Sequence, residues 1–189
     1  MAEGTTLTGN GANSPSLTES ITEWRRDGFL LSTDKGRLDL DAIHAYLTRS
    51  YWSPGIPKRM VAKAMEHSLC FGLYVDAKPE RGRQIGYARI VSDFSAFAYM
   101  ADVFVLPVYQ GHGLGTWMVE RAVSHPALRD IRSFWLATRD AQGLYARFGF
   151  EQLEEPGRFM LARRQMEWYN PEMAETGVAA PLAQSADHA

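Results

Sequence analysis

Gln110-Gly111-His112-Gly113-Leu114-Gly115 places three glycines in six residues, after an apolar run and before a helical pattern. Where a strand turns into a helix, the first backbone N–H groups of the helix lack partners and point outward. The helix dipole adds positive potential there, so the turn suits an anion, most naturally a phosphate. Glycines let that anion come close to the backbone. Two familiar phosphate loops are excluded by spacing. A Walker loop needs a lysine just before its Ser or Thr, whereas Thr116 follows Gly115. A dinucleotide fingerprint needs a third glycine where this chain has Thr116 or Met118. A tight turn without a ligand is the plainer alternative. Asp102 is the second residue with chemical potential, because it interrupts the apolar run Met100-Ala101-Asp102-Val103-Phe104-Val105. A buried carboxylate is costly unless paired, and an arginine such as Arg89 would serve. Cys70 sits mid-strand beside Phe71 and reads as core. The five histidines show no close-spaced ligand pattern, so no metal is expected.

These residues need a scaffold, and the pattern predicts one. Phe29 to Ser32 reads as a first strand. Asp39 or Asp41 caps a helix with Leu40, Ile43, Tyr46 and Leu47 on one face. Pro57 suits the first turn of a second helix carrying Met60, Val61, Ala64 and Met65. Leu69–Val75 and residues 84–91 read as an antiparallel pair joined by a hairpin connection over residues 76–83. Phe97 to Leu106 is almost wholly apolar, which predicts a strand buried on both faces. A helix follows the glycine turn through Ser124, with Leu114, Met118, Val119 and Ala122 inward, and Pro126 stops it. Phe134 to Ala137 reads as a strand, and Ala141 to Phe148 as a short helix ending at Gly149. Closing strands are expected near Glu151 to Leu153 and Arg158 to Ala162. The class is α/β or mixed α+β.

The 189 residues carry 20 Lys plus Arg against 22 Asp plus Glu, a net charge of -2. That balance argues against a nucleic-acid binder. One cysteine excludes an internal disulfide. No apolar run is long enough to span a bilayer, so no membrane partner is expected. Residues 1–20 are polar and free of aromatics, and residues 170–189 are rich in Ala and Pro; both read as disordered tails. The folded domain is therefore expected over residues 21–169. No secretory pattern opens the chain, and with one free cysteine it is expected in the cytoplasm.

The segment Val105 to Gly115 resembles the Arg/Gln-x-x-Gly-x-Gly/Ala signature of the GCN5-related N-acetyltransferases. Some thirty residues on, Leu144-Tyr145-Ala146-Arg147-Phe148-Gly149-Phe150 resembles the same family's Leu-Tyr-x-x-x-Gly-Phe motif. The likeness runs from about Phe71 to Met160, with Gln110 where Arg is commoner and Thr138 where Asn is often found. It implies a mixed, mostly antiparallel sheet of six to seven strands flanked by about four helices. It implies acetyl-coenzyme A as acyl donor. Val103, Phe104 and Val105 would meet the pantetheine arm by backbone. Gln110, Gly111, His112, Gly113, Leu114, Gly115 and Thr116 would surround the pyrophosphate. Tyr145 would give a proton to the departing thiolate. By similarity to the histone-acetylating branch, Asp102 would be a general base or attract the acceptor ammonium; a structural role is the alternative. Trp52, Asp93, Phe94, Phe97 and Tyr99 would form the acceptor pocket, since aromatic and acidic groups suit an amine. The resemblance thus implies an N-acetyltransferase acting on a primary amine, of a small molecule or a protein, in a ternary complex. The alternative is a non-catalytic acyl-coenzyme A sensor or regulatory module. Homodimers are common in this fold, though no sequence feature demonstrates one here.

Overall fold

The computed structural model of the chain describes residues 21–75 and 82–162. The expected tails therefore lie outside the described residues, as does most of the 76–83 connection. In chain order the elements are β1 (Glu23–Arg26), β2 (Phe29–Ser32), α1 (Leu40–Leu47), α2 (Lys58–Glu66), β3 (Leu69–Val75), β4 (Gln84–Ser92), β5 (Phe97–Val105), α3 (Leu114–Val123), β6 (Ser133–Trp135) and α4 (Gln142–Ala146). The strands form one sheet in sequence order. Every neighbouring pair is antiparallel except β5 and β6. This is the expected class, a mixed and mostly antiparallel sheet, here of six strands with four α-helices.

Two apolar layers hold the sheet. On one face, Leu114, Trp117, Met118, Val119 and Ala122 of α3 pack against Leu31, Phe71, Leu73, Ile90 and Met100. The inward positions of α3 fall at helical spacing, which is what one buried face requires. On the other face, Ile43 and Leu47 of α1 and Val61 of α2 pack with Cys70, Tyr87 and Phe104. The Tyr46 ring lies flat on Phe104 at 3.8 Å between centroids. Asp39 caps α1 by accepting from the Ala42 N–H at 3.0 Å.

The structure corrects several sequence expectations. A strand precedes the one expected first: β1 is Glu-Trp-Arg-Arg, with a single apolar residue. Asp27-Gly28, both at positive φ (51° and 79°), turns it back into β2. β5 is not buried on both faces: Tyr99, Ala101, Asp102 and Val103 are half-buried, because that stretch borders an open cavity. β6 and α4 are shorter than expected. The closing strands are not formed among the described residues. Residues 151–162 are exposed and carry only a 3-10 turn at Pro156–Arg158. A strand is stabilised by a ladder partner, and the free edge that β6 offers is only the three residues Ser133–Trp135.

Candidate active site

Two interruptions in regular pairing create the site. The first is a β-bulge. Tyr87 faces Phe104 and Arg89 faces Ala101, so Ala88 alone spans both Asp102 and Val103. Asp102 takes a left-handed backbone, φ 54°, in the middle of the strand. Such a bulge flips the side-chain alternation. Ala98 and Met100 face the α3 layer before it, and Val105 does after it. The second interruption lies between β5 and β6. Their parallel register runs only from Phe97 opposite Ser133 to Tyr99 opposite Trp135. Beyond Tyr99, β5 continues while β6 has ended, so the two chains part.

A cavity of about 520 Å³ fills that gap. Its floor is Tyr99 to Val103 of β5, one wall is Ala137 to Ala141, and Tyr145 closes the end. Tyr51 and Trp52, from the loop after α1, form the opposite wall. The walls are tied across the mouth: the Arg139 N–H donates to the Tyr51 hydroxyl at 3.2 Å. The Arg139 guanidinium lies over the Tyr51 ring at 4.0 Å.

Asp102 has both carboxylate oxygens occupied. One accepts from Arg89 Nε in a short ion pair, the other from Trp52 Nε1 at 3.1 Å. The two charged side chains are only 19% and 9% exposed, so the pair is largely withdrawn from water. Tyr145 is buried, with its ring edge-on to Phe150. Burial first, then Tyr51 and Asp140, pushes its hydroxyl up to about 12. The phenol therefore stays protonated at neutral pH, the form a proton donor needs.

The glycine turn lies at the end of β5. Gly111 and Gly113 have positive φ, 81° and 69°, which a side chain would strain. Gly113 is the N-cap of α3 and no side chain caps that end. A β-carbon at Gly111 would meet nothing within 4 Å, and one at Gly113 only Arg26 Nη2 at 3.6 Å. The turn is thus an open cradle of free amides, and it fits a pyrophosphate. Gln110 does not point into it; its amide donates back to the Val105 carbonyl at 2.8 Å. His112 is exposed, with Nδ1 2.9 Å from the Gln110 carbonyl. The Leu114 side chain is buried in the core, so only its backbone is available to a ligand. Thr116 accepts from Arg147 Nη1 at 3.5 Å.

Of the sequence-derived residues, Asp102, Val103, Tyr145, Trp52 and Tyr99 meet at the cavity. Phe104 and Val105 have buried side chains, leaving backbone contacts alone. Asp93, Phe94 and Phe97 do not line it. Asp93 and Phe94 belong to the β4–β5 turn and Phe97 opens β5; Asp93 Oδ1 accepts from the amides of Ser95, Ala96 and Phe97 at 3.0 Å each. Those hydrogen bonds, Phe97's first, hold the Asp93 carboxyl below its ordinary range. Tyr51, Arg139 and Asp140 were not anticipated. Their only sequence signal is position: Tyr51 adjoins Trp52, and Arg139-Asp140 lead into the helix of Tyr145. Arg26 was also missed; its Nη2 donates to the His112 carbonyl at 3.1 Å and it packs over Trp117. Among the described residues no group of three His, Cys, Asp or Glu could hold a metal ion.

Comparison with known proteins bears on the family and the fold. The family model for the acetyltransferase (GNAT) domain matches residues 66–152. A protein of Gibberella zeae bearing the name of an acetyltransferase is 33% identical over 142 residues, 66% of this chain and 79% of its own length. A crystal structure from Xanthomonas campestris pv. campestris, assigned by name to the GNAT acetyltransferases, is 41% identical with a TM-score of 0.68. That match covers 74% of this chain and 96% of the other. A Mycobacterium tuberculosis structure in complex with CoA shares the fold, at 19% identity and a TM-score of 0.50. It is covered over 66% of this chain and 72% of its own.

Proposed function

This chain belongs to the GNAT family of acetyltransferases, and from that premise we propose that it moves acetyl from acetyl-coenzyme A directly to a primary amine in a ternary complex. The observation that carries the reading is the gap between β5 and β6, lined by the protonated phenol of Tyr145, together with the uncapped N-terminus of α3 that follows β5 in the chain. The amides opening α3 receive the pyrophosphate, in line with the CoA held by the M. tuberculosis neighbour. The pantetheine arm lies along β5 beyond Tyr99, where no β6 strand competes for its backbone.

The amine attacks the thioester carbonyl carbon, forming the C–N bond, and the C–S bond then breaks. Tyr145 gives its hydroxyl proton to the departing sulfur and regains one from solvent, while the new amide's nitrogen loses its extra proton to water. Holding both reactants in one cavity supplies much of the acceleration. Asp102 is a positioning residue in this reading, because Arg89 and Trp52 already use its oxygens. It fixes the bulge and the Trp52 wall. Among the described residues no helix is long and apolar enough to cross a membrane. The buried free thiol of Cys70 suits the reducing cytoplasm.

Calorimetry with coenzyme A, followed by a thiol-release screen of amines with acetyl-coenzyme A, tests the assignment. Tyr145→Phe is expected to keep coenzyme A affinity and lower turnover about 10²-fold. Unchanged turnover would remove Tyr145 from the chemistry, and absent coenzyme A binding would end the whole reading.

A further inference from the structure

Four charged side chains line the cavity: Arg89, Asp102, Arg139 and Asp140. Arg89 and Asp102 neutralise each other. Arg139 is stacked on Tyr51. Asp140 makes no hydrogen bond or ion pair among the described residues, yet it stands close enough to Tyr46 and Tyr145 to act on both hydroxyls. Two charges remain, Arg139 and Asp140; the Arg139 guanidinium is engaged by the Tyr51 ring, so the carboxylate is the charge without a hydrogen-bond or ring partner among the described residues, in an aromatic-walled cavity. An incoming primary ammonium is the natural counter-charge, and low-dielectric ring walls strengthen the attraction.

We propose that Asp140 docks the acceptor's ammonium group, which gives up one proton to water before its nitrogen attacks, and that the acceptor is a primary amine with no carboxylate next to its nitrogen. The proposal rests on the acetyl-transfer reading above. An α-carboxylate would be brought against Asp140 and repelled. Arg89 is already paired with Asp102, and the Arg139 guanidinium is directed over the Tyr51 ring. The faces of Tyr51, Trp52 and Tyr99 suit an uncharged or aromatic body behind the nitrogen.

The test compares 2-phenylethylamine with L-phenylalanine, which differ by that carboxylate, in the full-length wild type, Asp140→Asn and Asp140→Glu. Thiol release is followed with acetyl-coenzyme A, and coenzyme A binding is measured separately. Wild type should prefer 2-phenylethylamine by about tenfold or more in kcat/KM. Asp140→Asn should raise the KM for that amine roughly five- to tenfold, with kcat and coenzyme A affinity nearly unchanged, and should shrink the preference. Asp140→Glu should restore part of both. Unchanged KM and preference in Asp140→Asn would overturn the assignment. So would a wild type that binds coenzyme A but acetylates neither amine, or favours L-phenylalanine. Failure to bind coenzyme A would overturn the acetyl-transfer reading itself, and this inference with it.

Discussion

Asp102 shows how one residue can serve backbone and charge at once. Its left-handed φ of 54° is one that Asp and Asn tolerate better than most side chains. Its carboxylate neutralises Arg89 and anchors Trp52, so strand geometry and cavity wall depend on the same group. Removing it leaves a mostly buried guanidinium without its counter-charge. Asp102→Ala should therefore lower unfolding stability by about 2–4 kcal/mol in urea denaturation. Asp102→Asn keeps the backbone preference and one acceptor for Trp52, and should cost less. If the residue only positions, the pH–rate profile of Asp102→Asn keeps the acid limb of the wild type at reduced height. Loss of that limb would make Asp102 the base. The sequence showed that this carboxylate needed a partner and that Arg89 could be one. It could not show that Trp52 would take the second oxygen, because that contact spans 50 residues of chain.

The glycine turn and α3 form the element on which donor binding depends, and its glycines are not equivalent. Gly113 must hold φ 69° as the cap, whereas Gly115 lies inside the helix. Gly113→Ala meets open space apart from Arg26 Nη2, so its cost is strain, roughly 1–2 kcal/mol. Any relief of that strain turns the amides away, and the KM for acetyl-coenzyme A should rise several-fold. Gly115→Ala would meet only Val105 Cγ2, at 4.0 Å, and should gain up to about 1 kcal/mol of helix propensity. Thermal melts of the two variants should move in opposite directions; a common downward shift would contradict the distinction. This element was legible because its signal is local: strand, glycines and helix are contiguous. β3 was legible for the same reason, as a continuous apolar run between polar ends. β1 was not, since Trp24 is its only apolar residue, although Asp27-Gly28 is the kind of dipeptide that marks a hairpin. Leu153 and Phe159-Met160-Leu161 look like strand on apolar content, but they lie exposed without a ladder. The cavity mouth was illegible because Tyr51 and Arg139 are brought together only by the fold. Asp93 looked available because residue type does not reveal that a carboxylate is already bonded to its own turn.

Across the whole molecule, buried phenols set the alkaline limit of the fold. Tyr74, Tyr87 and Tyr145 are each at most 8% exposed, and burial raises all three hydroxyls above their ordinary value. Tyr46 moves the same way. In the unfolded chain these groups ionise near pH ~10, while in the folded state they remain neutral well beyond it. Above that pH the unfolded state binds fewer protons than the native one, so stability falls as pH rises and is fully present below ~10. Each of the three strongly shifted groups contributes a slope of about 1.4 kcal/mol per pH unit, about 4 kcal/mol together. A domain with roughly 5–15 kcal/mol of stability should then unfold cooperatively within one to a few pH units above ~10. Circular dichroism and tyrosinate absorbance should change together in that window. The surroundings of the individual hydroxyls make the origin separable. Tyr87 shares a hydrogen bond with Cys70 in the layer under α1 and α2, whereas the Tyr74 hydroxyl is buried without a partner. Tyr74→Phe removes an unsatisfied hydroxyl as well as a titrating group. It should flatten the alkaline slope by about a third and hold or raise stability at pH 7. A Tyr74→Phe protein that kept the wild-type slope would show that the alkaline limit lies elsewhere.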